Sequence, residues 1–398
     1  MEFEEQQEKK EKRGIHWKSF AGGAVCAVLL LAAAAAALWF TGDGPDSLKS
    51  AAKVAGISQI IDSVYMGEID EQKLEDSMYA GLMAGLEDPY SRYYSREECE
   101  EEDRSNAGEY EGLGVVLGQM KDTGEVVIVQ CYDGGSAAEA GVQAGDILYA
   151  VDGESVEGKE LSEISDAIQE KEEKDVVLTL GRSQADGSEQ RMDITVTKGP
   201  VEMNYVSGEM LGDGIGYLAI TQFTGVTSEQ FQETYQSLKD QGMERLIIDL
   251  RDNPGGLLDA VCETLRQILP EGMIVYMEDK AGNREEYTCD GETPIDIPLV
   301  VLVNENSASA SEIFAGAVKD HGVGTLVGTT TFGKGIVQTY YRLGDGSEIK
   351  LTTAKYFTPN GNNIHGTGIE PDVQVEASED AETDVQLEKA VEVVKGME

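Results

Sequence analysis

The chain has 398 residues, a length suited to two or three domains, and sets 31 basic against 75 acidic side chains for a formal net charge of −44. A surface this acidic repels a nucleic-acid backbone and no basic patch offsets it, so nucleic acid is excluded as a generic partner. With 40% apolar residues and 16 tyrosines the chain can build packed cores, which excludes a largely disordered protein, and 46 glycines against 9 prolines indicate frequent turns.

Residues 1–18 read as a cytoplasmic tail. They are neutral overall, with their bases late, at Lys9, Lys10, Lys12, Arg13 and Lys18. Residues 19–42 carry no charge, and their apolar centre, at about 1.5 Å per helical residue, is long enough to cross a hydrocarbon layer of roughly 30 Å. Trp17 and Trp39 mark its two ends, where interfacial aromatics belong. Bases before the span and none just after predict a membrane anchor with an exported body. Ala35–Ala37 offer the alternative of a cleaved signal peptide; the length of the apolar run favours the uncleaved anchor. On either reading the charge of −44 lies outside the cytoplasm.

Cys26, Cys99, Cys131, Cys262 and Cys289 show no CxxC spacing, so neither a metal nor a redox site is expected, and isolated thiols are. Residues 43–104 form a helical N-terminal region. Val54, Ile57, Ile60, Ile61 and Val64 recur at helical spacing in the first of two helices within 47–86, and Asp88–Tyr94, DPYSRYY, reads as a turn with aromatic anchors. The acidic run Glu97–Asp103 lacks the alternating ligands and glycine of a calcium loop and reads as a solvated helix face.

Residues 105–199 switch to strands and tight turns: Val115–Leu117, Val126–Gln130, Ile147–Val151, Val176–Leu180 and Met192–Val196, with one helix at Leu161–Lys174. Gly112-Leu113-Gly114-Val115, followed by SAAEAGVQAGDILYAVDG at 136–153, resembles a PDZ domain. That resemblance implies a groove in which an extended peptide adds as a strand. The glycines suit it, because they leave N–H groups bare for a terminal carboxylate while Leu113 and Val115 line the pocket.

Residues 200–376 alternate apolar strands (217–220, 246–250, 273–276, 299–303) with helices at Ser228–Gln241, Leu257–Leu269 and Ser311–Lys319, the pattern of an α/β core. The fold class is therefore mixed α/β: a membrane helix, a helical region, a PDZ domain and an α/β core. Residues 377–398 form a tail whose helix, Ala381–Lys395, offers a self-association element and with it a homodimer.

Three strand-to-turn junctions carry candidate chemistry: Arg251–Gly256 (RDNPGG), Asn304–Glu312 (NENSASASE) and Thr331–Gln338 (TFGKGIVQ). Ligands meet α/β sheets at the carboxyl ends of strands, so the first two loops should converge. A serine opening a helix has unpaired N–H groups and the positive dipole end beside it, useful for an alkoxide and for an oxyanion; Ser307, Ser309 and Ser311 all qualify. Its base is sought among His321, His365 and Lys334. Lys334 stands between two glycines, where a side chain can be enveloped and its proton affinity lowered by desolvation. If the following segment is a strand, Lys334, Ile336 and Gln338 share one face, and Gln338 could orient the amine without adding charge. The GxxxxGK string at 328–334 imitates a nucleotide-binding loop, but Gly335 replaces the metal-ligating hydroxyl and no helix is expected after it.

Together, DPYSRYY, the PDZ-like block, DLRDNPGG, SASASEIFAGA and TFGKGIVQT in this order resemble the carboxyl-terminal processing peptidases, from about Ser47 to Val375. The resemblance implies Ser309 as nucleophile, Lys334 as general base and Gln338 as third member, with an oxyanion held by the N–H groups of Ala310 and Gly256. It also implies protein or peptide substrates presented by free C-terminal tails, with no cofactor or metal. Asp252 departs from the family pattern, which is often uncharged there. The rival readings are a non-catalytic PDZ scaffold or chaperone on a peptidase-like core, and a Ser-His-Asp hydrolase using His321 or His365.

Overall fold

The structure is a computed structural model that describes residues 46–120, 123–132, 134–169, 171, 173–184, 187–377 and 383–397. The predicted membrane span and Cys26 lie outside the described residues, among which no helix is long and apolar enough to cross a membrane. The chain divides into two compact units after Glu75. In the first, helix α1 (Asp46–Val64) forms as its periodicity predicts, yet Val54, Ile57, Ile60 and Val64 all remain exposed. Helix α2 (Glu71–Ala84) spans the division between the units.

The second unit continues with β1 (Arg92–Tyr94) and α3 (Arg96–Ala107), whose start is fixed by a Ser95–Glu98 capping box and whose end by the left-handed Gly108. The acidic run is thus a helix, as expected. A PDZ-type segment follows: β2 (Glu109–Gly112), β3 (Val115–Gln119), β4 (Val126–Cys131), α4 (Ser136–Glu139), β5 (Ile147–Val151), β6 (Glu154–Ser155), α5 (Leu161–Gln169), β7 (Asp175–Ser183), β8 (Glu189–Thr197) and β9 (Gly199–Glu202). Its main sheet runs β3-β4-β5-β7-β8, with β2 and β9 paired separately. Helix α5 stops short of the predicted Lys174. The buried Lys198 ammonium takes the carbonyls of Ile168, Gln169 and Lys171, and so closes the helix end there.

The remainder comprises β10 (Val206–Gly212), β11 (Ile215–Ile220), α6 (Thr227–Asp240), β12 (Arg245–Asp249), α7 (Leu258–Arg266), β13 (Gly272–Asp279), β14 (Arg284–Cys289), β15 (Leu299–Val303), α8 (Ala310–His321), β16 (Thr325–Gly328), β17 (Ile336–Arg342), β18 (Glu348–Phe357), β19 (Val373–Gln374) and α9 (Val385–Lys395). One sheet has the order β10-β11-β12-β15-β16-β19, parallel from β11 onward. Every residue of β15 is buried because both faces are covered. Phe231, Leu265, Phe314 and Val318 of α6, α7 and α8 pack on one face; Ala390 and Val394 of α9 pack on Ile247, Val300 and Leu302 on the other. The C-terminal helix therefore packs its apolar stripe on its own sheet.

A correction concerns Met273–Tyr276, expected among the helix-alternating strands of the α/β core. Strand β13 instead joins an antiparallel sheet, β1-β18-β13-β14 with β17 on β18. Asp279 closes a tight turn by accepting the N–H groups of Ala281 and Asn283, and a hairpin of this kind returns antiparallel, with no crossover helix to carry it into a parallel sheet. Cys99, Cys262 and Cys289 are buried, Cys131 is half-buried, and all four are free thiols, as expected.

At the end of β12, Arg251 forks between buried Asp249 (2.5 Å) and Asp384 (2.8 Å) and reaches Gln386 (3.1 Å), so one guanidinium fastens α9 beside the loop that follows the strand. Removing it leaves Asp249 buried and unpaired. Arg251→Met should cost about 3 kcal/mol and lower the thermal melting temperature, whereas Lys395→Met, at an exposed ion pair, should change it by less than about 1 kcal/mol.

Candidate active site

The three serines of the SASAS run are not equivalent in the fold. Ser307 is fully buried; its hydroxyl donates to the Leu250 carbonyl (2.8 Å) and accepts the Asn304 N–H (2.9 Å). Ser311 is also buried, its hydroxyl donating to the Asn253 carbonyl (2.9 Å). Both stitch this loop to the one after β12. Ser309 is half-buried and lines a cavity of about 310 Å³ at the carboxyl ends of the parallel strands. It is the N-cap of α8, with φ +56° and ψ −112°, a sparsely populated conformation for a residue with a side chain, and such strain costs about 1–3 kcal/mol. Strain of this kind persists only where the surroundings impose it.

Ala310 and Gly256 line the same cavity, and neither backbone N–H has an acceptor among the described residues. The neighbouring Gly255 N–H is already spent on the Asn253 side-chain oxygen (2.8 Å). Of the two glycines in the NPGG turn, it is thus Gly256 that keeps a donor available. Glycine is required at both positions. At Gly255 (φ +104°) a Cβ would stand 2.8 Å from the Ser309 Cβ, and at Gly256 (φ +138°) 2.0 Å from the Phe223 carbonyl oxygen. Asp252, the departure from the family pattern, adopts φ +60° and accepts the side-chain amides of Asn304 (2.9 Å) and Asn306 (2.8 Å). Those bonds hold its carboxyl below the usual range, and they clasp the two loops together.

Lys334 enters from the third loop, half-buried and lining the cavity. Burial holds its ammonium below the ordinary lysine value and the Lys350 charge acts in the same direction, against Glu312 and Asp88, which raise it. Its Nζ has no hydrogen-bond acceptor among the described residues; it lies over the Tyr90 ring, 4.9 Å from the centre. Gln338 lines the cavity too, but the strand does not keep the expected period of two. A bulge between Val337 and Gln338 shifts the register, and the Gln338 amide donates to the Thr352 hydroxyl (3.4 Å) rather than meeting Lys334.

What joins Ser309 and Lys334 is a residue that the sequence reading assigned no role. Glu312 is fully buried in the first turn of α8. One carboxylate oxygen accepts the backbone N–H groups of both Ser309 (2.9 Å) and Lys334 (2.8 Å); the other accepts the Gly333 N–H (2.7 Å) and the Thr331 hydroxyl (2.6 Å). The Ser-x-x-Glu spacing that marks a capping box was the signal available for it. Tyr356 completes the setting, its hydroxyl donating to the Ser309 carbonyl (3.1 Å).

The histidines stand elsewhere. His321 closes the far end of α8, roughly 18 Å along the helix from Ser309, with its Nε2 bonded to the Met273 carbonyl (2.7 Å). His365 is exposed and does not line the cavity. The phosphate-loop imitation at 328–334 runs into strand β17, so no helix N-terminus follows it.

A second groove, of about 300 Å³, lies between β3 and α5. Gly112, Leu113 and Val115 line it with Leu161, Ser165 and Ile168, while Gly114 (φ +74°) stands behind the turn against Gly135. Leu113 is only 3% exposed and belongs to the PDZ core as well as to the groove.

Comparison with known proteins places this architecture. The model of peptidase family S41 matches residues 214–375, that of a PDZ domain residues 127–182, and that of the activating protease CtpB N-terminal domain residues 36–98. The chain is 35% identical over 325 residues to a carboxyl-terminal-processing protease of Synechocystis sp., covering 79% of this chain and 75% of that protein. It is 32% identical over 327 residues to a probable CtpA-like serine protease of Staphylococcus aureus, covering 81% of this chain and 64% of the relative, so it spans less than two thirds of that protein's length. A solved putative S41 protease from Bacteroides fragilis shares the fold at a TM-score of 0.52 and 15% identity, over 84% of this chain and 93% of that one. The fold and the paired modules are those of PDZ-bearing serine-type peptidases. The chain belongs to the carboxyl-terminal processing peptidases of family S41.

Glu312→Gln preserves volume but turns an amide toward N–H donors. We expect peptidase kcat to fall about 100-fold with KM nearly unchanged, in a protein whose circular dichroism is that of wild type. Loss of the carboxylate charge should also move the acidic limb of the pH–rate profile downward, since Glu312 raises the Lys334 value.

Proposed function

We propose that this chain is a membrane-anchored, extracytoplasmic serine endopeptidase that cuts proteins recognised by their C-terminal tails, with Ser309 as nucleophile and Lys334 as general base. The observation that carries it is the convergence, on one cavity, of a strained half-buried serine, two backbone N–H groups without acceptors and a desolvated lysine. The neutral Lys334 amine takes the Ser309 proton as Oγ attacks the peptide carbonyl. Ala310 and Gly256 donate to the oxyanion, the new ammonium returns its proton to the leaving amine, and water then releases the acyl group by the same steps. Gln338 belongs to this reading as a cavity residue that meets the amine once substrate closes the site. The chemistry calls for no cofactor.

The groove beside α5 supports tail recognition: an extended peptide can add to the free edge of β3, with its last side chain among Val115, Leu161 and Ile168. The anchor at 19–42 rests on its apolar length and flanking charges.

A base that works as the neutral amine makes kcat/KM rise with pH along a limb below the ordinary lysine value. The purified full chain should cleave an unfolded, C-terminally tailed protein, and Ser309→Ala and Lys334→Ala should be inactive yet folded. Tail binding with no cleavage by wild type would instead favour the scaffold. Leu113→Glu would bury a charge in the PDZ core and unfold it, so Ser165→Trp, which fills the groove from an exposed helix position, is the cleaner probe. Turnover of tailed substrates should fall at least about tenfold, and an unchanged rate would remove the PDZ from the reading.

A further inference from the structure

The DPYS turn, Asp88–Ser91, lies outside both loops that carry Ser309 and Lys334 and outside the residues matched by the peptidase model. It is internally fixed: the Asp88 carboxylate accepts the Tyr90 N–H (3.0 Å) and the Ser91 hydroxyl (2.6 Å). The strand that follows it, β1, pairs with β18, placing Arg92 opposite Lys350. Ser91 Oγ in turn accepts the Thr352 N–H (3.1 Å), and Thr352 is the register partner of Gln338 and accepts its amide. From the same turn Tyr90 presents its ring to the Lys334 Nζ, which has no hydrogen-bond or ion-pair partner among the described residues. Lys350, by contrast, is held by Glu102 and by the rings of Tyr94 and Tyr340.

Tyr90 does not line the cavity, so it stands behind the amine rather than in the path of substrate. A ring face suits that place. It excludes water from the amine, a desolvation that outweighs the weak attraction of a ring face for an ammonium, and it offers no acceptor to compete with the serine hydroxyl, whereas a carboxylate there would hold the lysine protonated.

We propose that Tyr90 is a positioning residue for the general base, its ring seating the Lys334 amine and closing it to water, while Ser91 holds Gln338 in register through Thr352. The inference rests on the Ser309–Lys334 reading. The charged and titratable groups facing Lys334 come from three other elements and the turn itself: Lys350 on β18, Glu312 on α8, Asp88 beside Tyr90, and exposed His365 opposite Asp88.

The test is the rate at which a fluorophosphonate modifies Ser309 in the purified full chain, followed against pH. The Ser309 Oγ–phosphorus bond forms, the phosphorus–fluorine bond breaks, fluoride leaves and Lys334 takes the hydroxyl proton, so the profile reads the base without a peptide substrate. Tyr90→Phe keeps the ring and should superimpose on wild type. Tyr90→Ala opens the amine to water, and its acidic limb should move up by about one pH unit, making labelling about tenfold slower below the limb. Tyr90→Gln, likewise ringless, serves if the alanine variant does not fold. An unmoved limb in the ringless variants overturns the proposal, as does a Phe variant as slow as Ala, which would point to the hydroxyl. Labelling absent in wild type would remove the Ser/Lys reading and this proposal with it. Labelling present in wild type, lost in Ser309→Ala and unmoved in Tyr90→Ala would remove this proposal alone.

Discussion

A carboxylate sealed from water needs donors in place of the solvent, and Glu312 has four of them, one from the start of its own helix and three from a loop remote in sequence. Ser309 begins a helix of the parallel sheet; Thr331, Gly333 and Lys334 belong to the loop between β16 and β17. Neither segment can shift without leaving a buried acceptor unpaired, so two hydrogen bonds to one carboxylate oxygen link the Ser309 and Lys334 backbones. The unfavourable φ of Ser309 is sustained by the same bond, with the Tyr356 hydroxyl fixing the carbonyl on its other side. The local cost of strain is thereby charged to a network much larger than one residue.

Two further layers protect that arrangement. The buried hydroxyls of Ser307 and Ser311 and the Asp252 clasp bind the SASAS and NPGG loops to each other, which keeps Ala310 and Gly256 in the wall of one cavity. Behind them the parallel sheet is filled on both faces, by α6 to α8 on one side and α9 on the other, and Arg251 ties α9 to the end of β12. A site built on strand ends inherits the rigidity of the sheet, and oxyanion stabilisation requires it, because donors that must reorganise stabilise little.

Much of this was legible in the sequence. Strand and helix periodicity gave the parallel core within a few residues at most ends, and the glycine-rich turns marked the loops that meet. The three serines of the run, alike in sequence, differ in a way that only the fold reveals: the Ser307 and Ser311 hydroxyls donate to carbonyls and the Ser309 hydroxyl does not. What escaped was non-local. Met273–Tyr276 has the composition of a core strand, and its place in an antiparallel sheet follows from the turn at Asp279 and from pairing with β18, which no local pattern encodes. The bulge at Val337 breaks the period that put Gln338 and Lys334 on one face. Tyr90 reaches the Lys334 amine from a turn remote in sequence. Glu312 was visible as a capping-box acid, but its second task, gripping the lysine loop, is a tertiary contact.

The link between the two modules follows from chain connectivity. Helix α3 contributes Glu102 and Asn106 to the wall of the catalytic cavity, with Glu102 bonded to Tyr340 and paired with Lys350. After Gly108 the backbone continues directly into β2, whose last residue, Gly112, opens the turn at the head of the PDZ groove. The Asn106 carbonyl accepts the Gly225 N–H and the Gly108 carbonyl accepts the Met203 N–H, so the core grips this short bridge at both ends of the helix terminus. Between β3, which borders the PDZ groove, and the helix that lines the cavity, the chain has only the Leu113-Gly114 turn, β2 and Gly108. Glu102 on that helix pairs with Lys350, whose charge acts with burial to lower the proton affinity of Lys334. The groove beside α5 and the cavity that holds Lys334 are thus joined by one stretch of backbone and one ion pair.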